Sequence, residues 1–138
     1  MQDELLLDTG ALVSLLDRSQ RSHEDFVRFF ETWQGQVVSS EAVLTEATHL
    51  LGLVYGGRKA CLDFFLAGGA VLVPSTPSSI RRCRELMEQY DNLPMDFADA
   101  TLVHVANREK IQTVFTLDRR DFSVYRLARG KAFTIIPD

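Results

Sequence analysis

The stretch ELLLDTG, residues 4–10, is a run of leucines ending in an acid, a hydroxyl and a glycine. A short apolar run bounded by a turn signal reads as a buried strand. QTVFTLD, residues 112–118, has the same form and again stops at an aspartate. Neither run keeps a polar face, so both sides of each strand need cover.

Between them, helical and extended patterns alternate. ALVSLLDR (11–18) reads as a short helix. SHEDFVRFFETWQ (22–34) offers Ser22 as N-cap and acids in the first turn. Phe26, Phe29, Phe30 and Trp33 then recur at helical spacing, as a core face. GQVVSS (35–40) is a strand. EAVLTEATHLLGLVY (41–55) is a helix expected to end at Gly56-Gly57. RKACLDFFLA (58–67) is a helix, AVLVP (70–74) a strand, and PSSIRRCRELMEQYDN (77–92) a helix with Pro77 in its first turn. DFADATLVHVANRE (96–109) is a helix, and AFTIIP (132–137) a last strand. This order predicts an α/β fold, a parallel sheet with helices on both faces. Ligands in such folds bind at the carboxyl ends of the strands. Asp8 and Asp118 stand at two of those ends.

The 138 residues suit one domain, 1–138, with one substantial core. No apolar run approaches the roughly 20 residues of a membrane span. The N-terminus lacks a basic region before a long apolar stretch, so a cytoplasmic protein is expected. Cys61 and Cys83 are isolated and read as reduced, partly buried thiols on helices. A net charge of −4 argues against a protein held to nucleic acid by its overall field. It leaves open a protein that meets phosphates through bound cations. Arg119, Arg120, Arg126, Arg129 and Lys131 gather near the C-terminus. They read either as a solvated surface or as a phosphate-contact patch beside a site.

The acids divide by position. Asp8 can cap the next helix, as can Thr9. Glu41 lies in a helix first turn, where the dipole favours an acid. Glu46 lies mid-helix among apolar neighbours and is the better inward-facing candidate. Glu46-x-x-His49 has the spacing of a di-iron ligand pair, but one pair among several strands cannot build that bundle. Asp96 reads as an N-cap with Asp99 at the capping-box position. Asp99 lies between Ala98 and Ala100, small residues that admit a ligand. Thr116 precedes Asp118 by two and shares its side of the strand. Asp121 can cap a turn or pair with an arginine.

If Asp8, Glu46, Asp99 and Asp118 converge, their charges demand protonation or cations. Two like charges ~4 Å apart repel by roughly 4 kcal/mol at an effective dielectric of 20. Oxygen ligands without His or Cys favour Mg²⁺ or Mn²⁺, ions suited to phosphate chemistry.

LLLDTGALVSLLDRSQRSH, SSEAVLTEATHLL, MDFADATLVHVA and VFTLDRRDF together resemble the successive motifs of the PIN-domain family, especially its small VapC-like members. The resemblance covers nearly the full length. It implies a three-layer α/β/α sandwich with a central parallel five-stranded sheet of order 3-2-1-4-5. That order places Asp8 and Asp118 at one crevice. It implies a Mg²⁺- or Mn²⁺-dependent ribonuclease, the toxin of a toxin–antitoxin pair. RNA is then the substrate, an antitoxin protein the partner, and a homodimer the expected assembly. The family's four acids fall on Asp8, Glu46, Asp99 and Asp118, with Thr9, Thr116 and Asp121 as auxiliaries. Arg119, Arg120 and Arg126 are the candidate nucleic-acid contacts. The rival is a PIN scaffold that binds RNA or protein without turnover. Haloacid-dehalogenase-like phosphatases and receiver domains want other acid arrangements: Asp8 is followed by Thr9 and Gly10, not by a second acid.

Overall fold

The structure, a computed structural model, describes residues 3–137. Its centre is β1 (Glu4–Leu7). Leu5, Leu6 and Leu7 are all fully buried. Successive strand residues point to opposite faces, so both faces of the sheet are covered. β2 (Gln36–Ser40), β3 (Val71–Val73), β4 (Thr113–Phe115) and β5 (Thr134–Ile136) complete an all-parallel sheet of order 3-2-1-4-5, the order implied by the resemblance.

The helices are α1 (Thr9–Leu16), α2 (His23–Thr32), α3 (Glu41–Leu50), α4 (Gly57–Leu66), α5 (Pro77–Gln89), α6 (Phe97–Glu109) and the short α7 (Arg119–Phe122). The aromatic face read from α2 is core. Phe26, Phe29 and Phe30 all lie against Phe115 of β4, with ring centroids 4.8, 5.2 and 6.2 Å away. Such contacts add to the area these side chains bury. Cys61 and Cys83 are free and buried. No helix among the described residues is long and apolar enough to cross a membrane.

Two local expectations need correction. The third helix does not run to Tyr55. It ends at Leu50, and a 3-10 turn follows over Leu51–Leu53. Gly56 and Gly57 open α4 instead. Gly56 adopts φ +70°, a left-handed conformation that glycine takes at no steric cost. Gly57 packs on the Leu51 carbonyl so closely that a Cβ would sit 2.1 Å from its oxygen. The pair is thus a tight joint between helices. Ser22 occupies the N-cap position of α2 but makes no capping bond. Its hydroxyl pairs with that of Ser14 at 2.6 Å, tying α2 to α1.

The sheet places its chemistry at one end. β1 and β4 are neighbours, with Leu7 opposite Phe115. Asp8 and Thr116 therefore leave the sheet side by side, and the Asp8 amide donates to the Phe115 carbonyl at 3.1 Å.

Candidate active site

Asp8 begins from that register. It stands at the N-cap position of α1, yet its side chain makes no cap hydrogen bond. The Thr116 hydroxyl donates to Asp8 Oδ2 at 2.6 Å. The same hydroxyl oxygen accepts the Asp118 amide at 2.8 Å. Thr116 thus spaces Asp8 from Asp118. Asp118 Oδ1 in turn accepts the Asp121 amide at 3.0 Å and caps α7.

Asp99 arrives from the N-terminus of α6. Asp96 caps that helix, accepting the Asp99 amide at 2.8 Å. The Asp99 side chain does not return the bond, as a reciprocal capping box would require. It accepts instead from the Tyr125 hydroxyl at 2.9 Å. Tyr125 is fully buried. Ala98 lines the groove beside the site, whereas Ala100 is core.

Carboxylate oxygens of Asp99, Asp118 and Asp121 lie within 4.8 Å of one another. Asp8 is not in that trio, but its charge reaches Asp99. The crowding shows in the acidities. Burial, with the charges of Asp8 and Asp96, pushes the Asp99 carboxyl up to about 8 against the Tyr125 hydrogen bond. Burial raises Asp8 to about 6, opposed by the bond from Thr116. Asp121 is raised by burial and by Asp118. The Tyr125 phenol is raised too, by burial and by Asp99, so it donates rather than ionises.

This donor set fits a hard divalent cation. It is all oxygen, contains neither His nor Cys, and carries more negative charge than it can hold unprotonated near neutral pH. Thr9, next to Asp8, adds a buried hydroxyl with no partner. An unpaired buried polar atom is costly unless something binds there.

A family model described as PIN domain matches residues 5–128. The chain belongs to the PIN-domain family. A curated relative, Ribonuclease VapC26 of Mycobacterium tuberculosis, is 30% identical over 96% of this chain and 100% of its own. Among solved structures, VapC20 of Mycobacterium tuberculosis, described as a Sarcin-Ricin loop cleaving toxin, superposes with a TM-score of 0.78. It is 22% identical and the match covers 84% of this chain and 91% of that one. A toxin-antitoxin complex from Klebsiella pneumoniae gives 0.68, at 18% identity over 96% of each chain.

Within this PIN domain, the residues singled out from sequence fall in three places. Asp99, Asp118 and Asp121 share the cluster, Thr116 ties Asp8 to Asp118 beside it, and Thr9 follows Asp8 in the chain with its hydroxyl buried. Glu46 is outside the trio. It lines an adjoining groove of about 410 Å³ with Thr45, Asp96, Phe97 and Ala98. Glu41, read as a first-turn acid, lines the same groove and accepts the Ser75 amide at 2.9 Å. The arginines are spent differently: Arg119 donates to the Pro137 carbonyl at 2.8 Å, and Arg126 folds back onto the carbonyls of Ser123, Val124 and Tyr125. Arg120 is exposed beside the acids.

Tyr125 was not legible as a site residue. It comes from an irregular segment, and its partner Asp99 is distant in sequence. The available signal was a lone aromatic beside Arg126 in SVYRL, too weak to name a contact.

Proposed function

We propose that the chain is a metal-dependent endoribonuclease of the toxin type, hydrolysing RNA phosphodiester bonds with Mg²⁺ or Mn²⁺. The convergence of Asp99, Asp118 and Asp121 at the carboxyl end of β4 carries this reading. The ribonuclease name of the relative and the toxin descriptions of the structural neighbours support it. Those neighbours include complexes with antitoxins, so an antitoxin protein is the proposed partner. A homodimer is proposed too; Leu53, Tyr55 and Leu66 leave apolar side chains exposed around α4.

In this reading Asp99, Asp118 and Asp121 would hold the cation, with Asp8 supplying further charge and Glu46 lining the adjoining groove. A bound divalent ion supplies charge that acidifies an attacking water and steadies the leaving oxygen. The protein's own part is positioning. Thr116 fixes the Asp8 carboxylate, and the Asp118 N–H held by the same hydroxyl sets the start of α7. Tyr125 fixes Asp99 from the buried side. Burial of Asp8 and Asp99 keeps bulk water from screening their charges.

The test is cleavage of a structured RNA pool with Mn²⁺ and with EDTA. Fragments are expected only with the metal. RNA bound but uncut under both conditions would replace the enzyme with a binding module.

Tyr125→Phe tests the positioning role separately. It keeps the ring and its packing on Tyr90 and Phe122 but removes the bond to Asp99. Residues that orient a metal ligand are typically worth 10–100-fold in metal affinity or activity. The Mn²⁺ concentration for half-maximal cleavage is expected to rise by about tenfold or more. An unchanged metal titration would reduce Tyr125 to packing.

A further inference from the structure

The run RLARGK, residues 126–131, follows directly on Tyr125, whose hydroxyl meets Asp99. It ends at the other end of the sheet, where Gln112 leads into β4 and Ala132 towards β5. There it folds as a tight turn. Arg126 and Ala132 form an antiparallel bridge, and the Leu127 amide donates to the Lys131 carbonyl at 2.8 Å. Three outside side chains hold the turn. The Tyr90 hydroxyl accepts the Arg126 amide at 2.9 Å, and Asn107 Oδ1 accepts the Ala128 amide at 2.7 Å. Gln112 Nε2 donates to the Ala132 carbonyl at 3.0 Å.

Between this turn and the C-terminal end of α6 lies a cavity of about 470 Å³. Lys110, Arg129 and Lys131 line it, Ile111 and Leu127 give it an apolar wall, and no carboxylate among the described residues lines it. All three cations are exposed, and none forms an ion pair among the described residues. Arg108, close by in sequence, is instead engaged by Glu109. A second cavity of about 370 Å³ shares Asn107, Leu127 and Ala128 with the first and adds Arg82 and Arg126. In a chain of net charge −4, this concave surface reverses the sign locally.

We propose that the cavity lined by Lys110, Arg129 and Lys131 is an accessory phosphate site that holds the RNA strand away from the acid cluster. The inference rests on the ribonuclease reading. Thr113 and Asp118 are five residues apart, roughly 17 Å of extended chain, a reach that a few nucleotides cover. A positively charged groove that tracks the backbone is the electrostatic part of how single strands are held without sequence preference. An acidic surface around the acids repels phosphates, and a remote cationic anchor offsets that repulsion.

The test is binding of a labelled 12-nucleotide single-stranded RNA by anisotropy across a salt series, with EDTA present so that no strand is cut. One variant carries Lys110→Asn, Arg129→Asn and Lys131→Gln. Lys110 and Arg129 have φ of 58° and 66°, and asparagine suits that left-handed region, so the backbone is not disturbed. A charge-matched control carries Arg21→Gln, Arg28→Gln and Lys59→Gln. Each phosphate contact on a single strand adds about 0.7 to the slope of log affinity against log salt. The triple variant is expected to lose about 2 from that slope and at least tenfold in affinity at 0.1 M salt, and the control neither. Lys131→Gln alone, at an exposed position, is expected to lose about 0.7. A triple variant that matches the control overturns the site. Binding and cutting read separately: a chain that cuts no RNA but loses this slope keeps the site and refutes the enzyme, and an active chain with an unchanged slope does the reverse.

Discussion

Asp99→Asn is expected to lower Mn²⁺-dependent RNA cleavage by at least about 10³-fold, beyond the 10–100-fold typical of groups that only orient a ligand. The same substitution is expected to raise the melting temperature of the metal-free protein. Both effects follow from one fact: the Asp99 carboxyl is buried beside Asp8 and Asp96, and its ionisation is resisted up to about pH 8. Asparagine fills the same space and still accepts from the Tyr125 hydroxyl. It removes a charge that the folded chain tolerates poorly and that a cation would need. Stability and activity then move in opposite directions, as they do where a site is strained for function. A misfolded variant cannot give that pair of results. Full activity in Asp99→Asn, purified in parallel, would mean contaminating nuclease or a site elsewhere. Lost activity with lost stability would make Asp99 a structural residue.

How far the sequence carries depends on the range of each interaction. The leucines at 5–7 and the Val114-Phe115 pair specify buried strands by themselves, because side-chain alternation leaves no polar face. The α2 aromatics specify a core face by period, and Phe115 is where they land. The strand order came from the resemblance; nothing local in three-residue strands such as β3 and β4 dictates which neighbours they take. Gly56-Gly57 shows the limit of local reading. A glycine pair marks a break, but whether it closes one helix or opens the next depends on Leu51, whose carbonyl Gly57 meets. The site divides the same way. Asp8 and Asp118 are legible because a carboxylate at the end of an apolar run needs a reason. Asp121 reads as an auxiliary, yet its carboxylate shares the trio because one turn of α7 folds it back. Glu46 reads inward by its neighbours, but the helix directs it to a groove that Asp96 also lines. Tyr125 needed the fold to bring it to Asp99.

The second large effect links metal, pH and stability. Asp8 and Asp99 have folded acidities of about 6 and about 8, both raised above the ordinary 3.8. Between pH 3.8 and those values the unfolded chain has released the protons that the folded chain still binds. Stability falls with rising pH where the unfolded state binds fewer protons. These groups therefore stabilise the metal-free protein fully below about pH 4, and that contribution is lost as pH rises to about 8. Asp121, also raised, acts with the same sign. His104 acts oppositely, since burial lowers its pKa below the ordinary 6.5 and unfolding then takes up a proton. Its opposing influence is only half spent at pH 6.5 and gone by about pH 8, so across the window from pH 6.5 to 8 it blunts, without reversing, the fall that the acids cause. In EDTA the melting temperature is expected to fall across that window, and the fall is expected to shrink in Asp99→Asn. Divalent cations bind the deprotonated carboxylates of the folded state, so Mn²⁺ is expected to stabilise more at pH 8 than at pH 6.5. At 100 times its dissociation constant a ligand adds about 2.7 kcal/mol, roughly 8–10 °C for a chain of this size. A melting temperature that ignores millimolar Mn²⁺ at pH 8 would dismiss the cluster as a metal site. A metal effect that stays the same from pH 6.5 to 8 would place the ion on other ligands, because binding to carboxyls that still hold protons at pH 6.5 strengthens as they ionise.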